Sequence, residues 1–126
     1  MTETGTSPQI VILCSDIFFL SKITGVATQL GLSFSTANSC KQALEYLTNE
    51  SRQLILIDLN LPHLDWELLD SILNSESPLV SIAFGPHVDT EQFKKAKTAG
   101  CSQILPRSQF SAQLPQLLQA ALEREP

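Results

Sequence analysis

The sequence predicts an α/β domain built on a parallel five-stranded sheet, and three features carry that expectation. Residues 10–13 and 54–57 are continuous apolar runs, too short for a buried helix, as strands covered on both faces require. Other segments repeat their apolar residues every three to four positions, the helical period. The two patterns alternate with no linker or internal repeat between them, which implies right-handed crossovers and helices on both faces of a parallel sheet.

Residues 1–8 read as a frayed polar tail and residues 9–124 as one domain. The first strand spans 10–13 and the first helix 17–30, where Leu20, Ile23, Ala27 and Leu30 form one stripe and Gly31 stops it. A short second strand is expected over 32–36. A helix over 39–49 has Ser39 as its cap and Ala43, Leu44 and Leu47 turned inward. The third strand, 54–57, stops at Asp58, and Pro62 breaks the chain. Leu64, Leu68, Leu69 and Ile72 mark a helix over 64–73. The fourth strand is 79–84, the fourth helix 90–99 with Phe93 and Ala96 inward, and the fifth strand 102–105. Because proline is tolerated only in a first helical turn, Pro115 starts the last helix close to Gln113. Five such units are too few for a barrel, which needs eight, so the fold class is a doubly wound, flavodoxin-like sheet of order 2-1-3-4-5.

Composition narrows the function. The chain has 126 residues, 43% hydrophobic and 17% charged, which is globular composition. Thirteen acidic against 8 basic side chains give a net charge of -5. The basic cluster Lys94, Lys95 and Lys97 is too small for broad phosphate-backbone binding, so no nucleic-acid partner is expected. No apolar run approaches a membrane span, and the first eight residues lack a signal-peptide core, so a cytoplasmic protein without a membrane partner is expected. Cys14, Cys40 and Cys101 have no metal-like spacing and read as small buried hydrophobes.

In open sheets of this class, sites lie beyond the carboxyl ends of the strands. Cys14-Ser15-Asp16 stands after the first strand, Asp58-Leu59-Asn60-Leu61-Pro62-His63-Leu64-Asp65 after the third, Gly85-Pro86-His87 after the fourth, and Pro106-Arg107-Ser108 after the fifth. With the five-unit pattern and the Ala99-Gly100 corner, these residues resemble the receiver domain of bacterial response regulators over nearly the whole chain. The resemblance implies phosphoryl transfer to Asp58. A divalent cation would be held there by acidic residues after the first strand, by Asp58, and by the carbonyl of Asn60, because a hard cation wants oxygen ligands.

Several parts of that machinery are altered. At most one acid, Asp16, survives after the first strand. The Ser or Thr usual after the fourth strand falls on Gly85 or, with a shift of one residue, on Phe84, and neither has a hydroxyl. Arg107 falls at or next to the usual lysine, and a planar guanidinium is not equivalent to a compact ammonium. Ile104 stands near the usual switch aromatic, and Trp66 where glycine is usual. The expectation is a degenerate, or pseudo-, receiver: a non-enzymatic, stand-alone signalling protein that acts by protein–protein interaction without phosphorylation. It needs no cofactor and retains at most weak Mg2+ binding. Its partner would be a histidine kinase, another regulator or a second copy. The expected docking face is the fourth helix, fifth strand and last helix, with Lys94, Lys95, Lys97 and Gln103.

Two readings stand beside most of these residues. Asp58 is a phosphoacceptor, or an inherited aspartate paired with Arg107 or loop amides. Asp16 is a cation ligand or, the favoured reading, the first helix's cap. Arg107 binds a phosphate or an acidic partner, or, as preferred, pairs with Asp58. His63 and His87 read as surface loop residues, Trp66 as packing over the acceptor loop, Asp65 as a helix cap, and Phe18 as exposed near the site. The rival functions are a conventional Mg2+-dependent phospho-switch at Asp58 and a small-ligand or flavin module. The second lacks the Ser/Thr/Gly-rich phosphate loop, and Asn60 in place of an acid removes the pair a phosphohydrolase would need.

Overall fold

The computed structural model of the chain describes residues 7–48, 50–75, 78–86 and 90–123. Most of the expected 1–8 tail, together with His87 and residue 124, lies outside them. The strands are β1 (Ile10–Leu13), β2 (Phe34–Ala37), β3 (Gln53–Asp58), β4 (Leu79–Gly85) and β5 (Gln103–Pro106). They form one parallel sheet in the order β2-β1-β3-β4-β5. The helices are α1 (Ile17–Gln29), α2 (Cys40–Leu44), α3 (Trp66–Leu73), α4 (Thr90–Ala99), α5 (Arg107–Ala112) and α6 (Leu114–Glu123).

The period of two along each strand divides the core into two layers. Ile10, Ile12, Leu54, Leu56, Ile82 and Phe84 face Ile23 and Ala27 of α1, Phe110 of α5 and Leu114 and Leu118 of α6. Val11, Leu13, Ile55, Ile57 and Ala83 face Cys40 and Ala43 of α2, Leu69 of α3 and Ala96 of α4. Every residue of β3 is buried, as a central parallel strand must be.

Caps set the helix starts. Asp16 accepts hydrogen bonds from the Phe18 and Phe19 amides, Ser39 from Gln42, and Asp65 from Leu68. The cap at Asp65 moves the start of α3 to Trp66, two residues after the expected 64. We expect Asp16→Ala to lower stability by about 1 kcal/mol, the usual worth of an N-cap, as measured by urea unfolding.

Beyond α3 and single-residue shifts at the ends of α1, β3 and β4, the differences from expectation lie in β2, α2, β5 and the last helices. β2 begins at Phe34 rather than 32, because Gly31, at φ 74°, and Leu32 complete the turn that ends α1: the Leu32 amide bonds back to the Ala27 carbonyl at 2.9 Å. α2 ends at Leu44, not 49. The next amides, Glu45, Tyr46 and Leu47, bond to carbonyls three residues back, and buried Gln53 takes the chain beyond. Its amide nitrogen donates to the Tyr46 and Pro8 carbonyls and its oxygen accepts from the Thr48 amide. Leu44 is therefore 45% exposed rather than inward. β5 runs one residue later than expected. Finally, a sixth helix, α5, precedes α6, which begins at Leu114 with Pro115 in its first turn.

Candidate functional site at the Asp58 edge

The site lies at the carboxyl end of the sheet. β1 and β3 pair Leu13 with Ile57, so the next residues, Cys14 and Asp58, emerge side by side. Both belong to the alternation that faces α1 and α6. In the same register Asp58 stands opposite Phe84, and Gly85 opposite Pro106, immediately before Arg107. Four strand ends thus deliver their residues to one point. The loop leaves Asp58 through a Leu61 amide bond to the Asp58 carbonyl and turns at His63, whose φ is 60°.

Asp58 is 2% exposed, and a buried carboxylate needs partners. It has three. The Asn60 amide donates to Oδ1 at 2.9 Å, Arg107 Nη2 donates to Oδ1 at 3.3 Å, and the Cys14 thiol donates to Oδ2 at 3.3 Å. Arg107 Nη1 also lies 4.0 Å from Asp16 Oδ2, and the guanidinium sits over the Phe19 ring, 5.1 Å from its centroid. Beneath it Phe84 and Phe110 stack at 4.3 Å and 8°, with Phe19 5.0 Å from Phe84.

Burial pushes the Cys14 thiol up to about 12, and the Asp58 carboxylate beside it pushes the same way. Cys14 is therefore a standing S–H donor to Asp58. Burial also raises Cys101, to about 11, and Cys40. An unfolded thiol ionises near 9 while these stay protonated, so above that pH the unfolded chain binds fewer protons than the folded one. Their contribution to stability is complete below pH 9 and is lost as pH rises toward 11 to 12. The urea midpoint should fall through this alkaline range, and Cys14→Ala should flatten the decline.

The residues singled out from sequence divide into two groups. Asp16, Asp58, Asn60 and Arg107 converge, and the Arg107–Asp58 and Asp16-cap contacts are the favoured ones. Of Gly85 and Phe84, the register puts Phe84 beside Asp58, with its ring in the aromatic stack. Gly85 lies one step on, where a Cβ would come within 3.0 Å of Leu59 Cβ. Ile104 is turned to the opposite layer with Ala83. Lys94 and Lys95 lie elsewhere, along a cavity of about 230 Å³ that also takes in Trp66, Asp70 and Glu91. Lys97 projects about 160° around α4 from Lys95, by the 100° step of a helix. Lys94 stands between the two, about 60° from Lys97, and Asp70 and Glu91 share the cavity with Lys94 and Lys95. Gln103 is exposed on edge strand β5.

Two features escaped sequence reading. Cys14 is a polar partner of Asp58 as well as a buried hydrophobe; its place directly after a buried strand, level with Asp58, is the signal that reveals it. Ile17, 76% exposed, joins Phe18, 88% exposed, in an apolar pair on the first turn of α1. Only knowledge of which face α1 buries separates that pair from Phe19.

The donor set does not match what a divalent cation needs. Such a cation takes oxygen ligands and avoids positive neighbours. Here both oxygens of Asp58 are engaged, the neighbour on β1 is a protonated thiol, and a guanidinium spans the two aspartates. Among the described residues no group of three or more His, Cys, Asp or Glu side chains is placed to hold a metal. No helix among them is long and apolar enough to cross a membrane.

No family model and no curated protein matches the chain. Solved structures do. The receiver domain of NtrX from Brucella abortus superposes with a TM-score of 0.74 at 19% identity, over 92% of this chain and 99% of that one. The receiver domain of a sensor histidine kinase from Pseudomonas aeruginosa, with magnesium coordinated in its active-site cleft, gives 0.74 at 20% identity, over 94% and 99%. The phosphorylated cyanobacterial phytochrome response regulator RcpA gives 0.74 at 18% identity, over 96% and 98%. The chain has the fold of response regulator receiver domains.

Proposed function

We propose that this receiver-fold chain is a cytoplasmic signalling module that works by docking to another protein, with Asp58 closed by its own neighbours rather than switched by phosphoryl transfer. One observation carries the reading: both oxygens of the buried Asp58 carboxylate are engaged, Oδ1 by the Asn60 amide and Arg107 Nη2, and Oδ2 by the Cys14 thiol. The residue that β4 sets opposite Asp58 is Phe84, stacked in the core and without a hydroxyl, which supports it further. So does the donor set's mismatch with magnesium. The module is a binder rather than an enzyme and requires no cofactor. Three free cysteines suit a reducing compartment. The partner is a histidine kinase, another regulator or a second copy. The docking face we propose is α4, β5 and α6, with Lys94, Lys95, Lys97 and the exposed edge residue Gln103.

The rival is a conventional switch. Its support is the position of Asp58 at the carboxyl end of a fully buried β3, in a fold whose solved examples include a phosphorylated protein and one with bound magnesium. Intact-mass spectrometry after incubation with magnesium and a small phosphodonor separates the two. The docking reading expects the mass to stay unchanged in the folded protein. A stoichiometric gain of one phosphoryl group that vanishes in Asp58→Asn would establish the rival.

A further inference from the structure

The charge at the Asp58 edge is not left open. Two carboxylates, Asp16 and Asp58, converge on one guanidinium, which reaches the first through Nη1 and the second through Nη2. The guanidinium is held from below by the Phe19 ring and from behind by its position as the first residue of α5, directly after β5. Its Nε is buried and has no acceptor among the described residues, so the side chain is placed for its two terminal nitrogens at the expense of the third. Burying an unmet donor has a cost, and the geometry accepts that cost to bring the fork to the aspartates.

From this arrangement we infer that Arg107 is a tethered counter-cation. It supplies from within the chain the positive charge that the two aspartates would otherwise take from a divalent ion, and it ties α5 to β3 and α1 in doing so. A mobile cation arriving at Asp58 meets a fixed positive group at contact distance and a carboxylate whose oxygens are already engaged. The edge is therefore indifferent to magnesium, and Arg107 is what makes it so. Remove the guanidinium, and the Asp58 and Asp16 carboxylates are left at one sheet edge with no positive charge between them. That is a set of oxygens a hard cation accepts. Arg107 acts here as a positioning residue that holds the edge in one state.

The inference rests on the docking reading of Asp58, and its test uses no phosphodonor, so the two fail separately. Thermal unfolding of the wild type, Arg107→Ala and the double variant Arg107→Ala/Asp58→Asn is followed at rising MgCl2, with ionic strength held constant by KCl. The wild-type midpoint should not move. Arg107→Ala should start lower and rise to a plateau with magnesium, and the double variant should lose that rise. A saturable rise in the wild type would overturn the inference, as would an Arg107→Ala midpoint as indifferent as that of the wild type. Should Arg107→Ala fail to fold, Mn2+ added to the ¹⁵N-labelled wild type decides alone. The amide signals of Cys14, Asp58 and Asn60 should keep their intensity. Their selective broadening at low Mn2+ would overturn the inference.

Discussion

Replacing Phe84 with Thr should cost about 3–5 kcal/mol of folding stability, the range for emptying a buried phenyl site, although it places a hydroxyl beside Asp58. Phe84 is fully buried. Its ring stacks on Phe110 at 4.3 Å and approaches Phe19 at 5.0 Å, and aromatic pairs add about 0.5–1.5 kcal/mol each beyond the area they bury. Threonine leaves a cavity between three elements, α1, β4 and α5, and brings a hydroxyl whose one polar neighbour in register is already satisfied. The ring is also the floor under Arg107, through Phe19. A urea titration measures the loss. A loss under about 1 kcal/mol, the scale of an ordinary exposed substitution, would mean that the stack is not what fills this end of the core.

The second large effect is at Arg107. Removing one partner of a fully buried ion pair costs roughly 3–5 kcal/mol. The Arg107 side chain is 30% exposed against 3% for Asp58, so water screens part of the interaction. We expect Arg107→Ala to cost about 2 kcal/mol, after that discount. The loss has three parts. Asp58 Oδ1 keeps only the Asn60 amide, the Phe19 ring loses its cation, and Asp16 and Asp58 face each other without a charge between them. Unfolding at constant ionic strength measures the cost. Arg107→Lys should recover only part of it, because a point charge cannot span both aspartates.

The fold was legible because a parallel sheet writes itself as buried runs. Residues 10–13, matching β1 in full, and 54–57, the interior of β3, needed no context, since both faces of those strands are covered. What sequence could not show was set by tertiary contacts. The early end of α2 depends on the Gln53 side chain, which reaches across from β3 to bond Tyr46 and Thr48. α5 has a single buried apolar residue, Phe110, and no stripe, so nothing periodic announces it. The site followed the same division. Asp58, Asp16 and Arg107 stood out because charged residues at strand ends are conspicuous. Cys14 did not, because a thiol after an apolar run looks like more core until the register sets it against Asp58. The choice between Gly85 and Phe84 likewise waited on the pairing of β3 with β4. Lys94, Lys95 and Lys97 stand together in the sequence, but Asp70, the acid that shares the cavity with Lys94 and Lys95, comes from another helix.

The claim on which the rest depends is that Arg107 and Asp58 are energetically paired in the folded chain. A double-mutant cycle with Arg107→Ala and Asp58→Asn, read by urea unfolding, tests it most directly, since it cancels whatever each substitution does alone. The structure predicts a coupling of about 1–2 kcal/mol, within the range for residues in direct contact, with the double variant losing less than the two singles together. Strictly additive losses would contradict the account and leave Asp58 free for other chemistry.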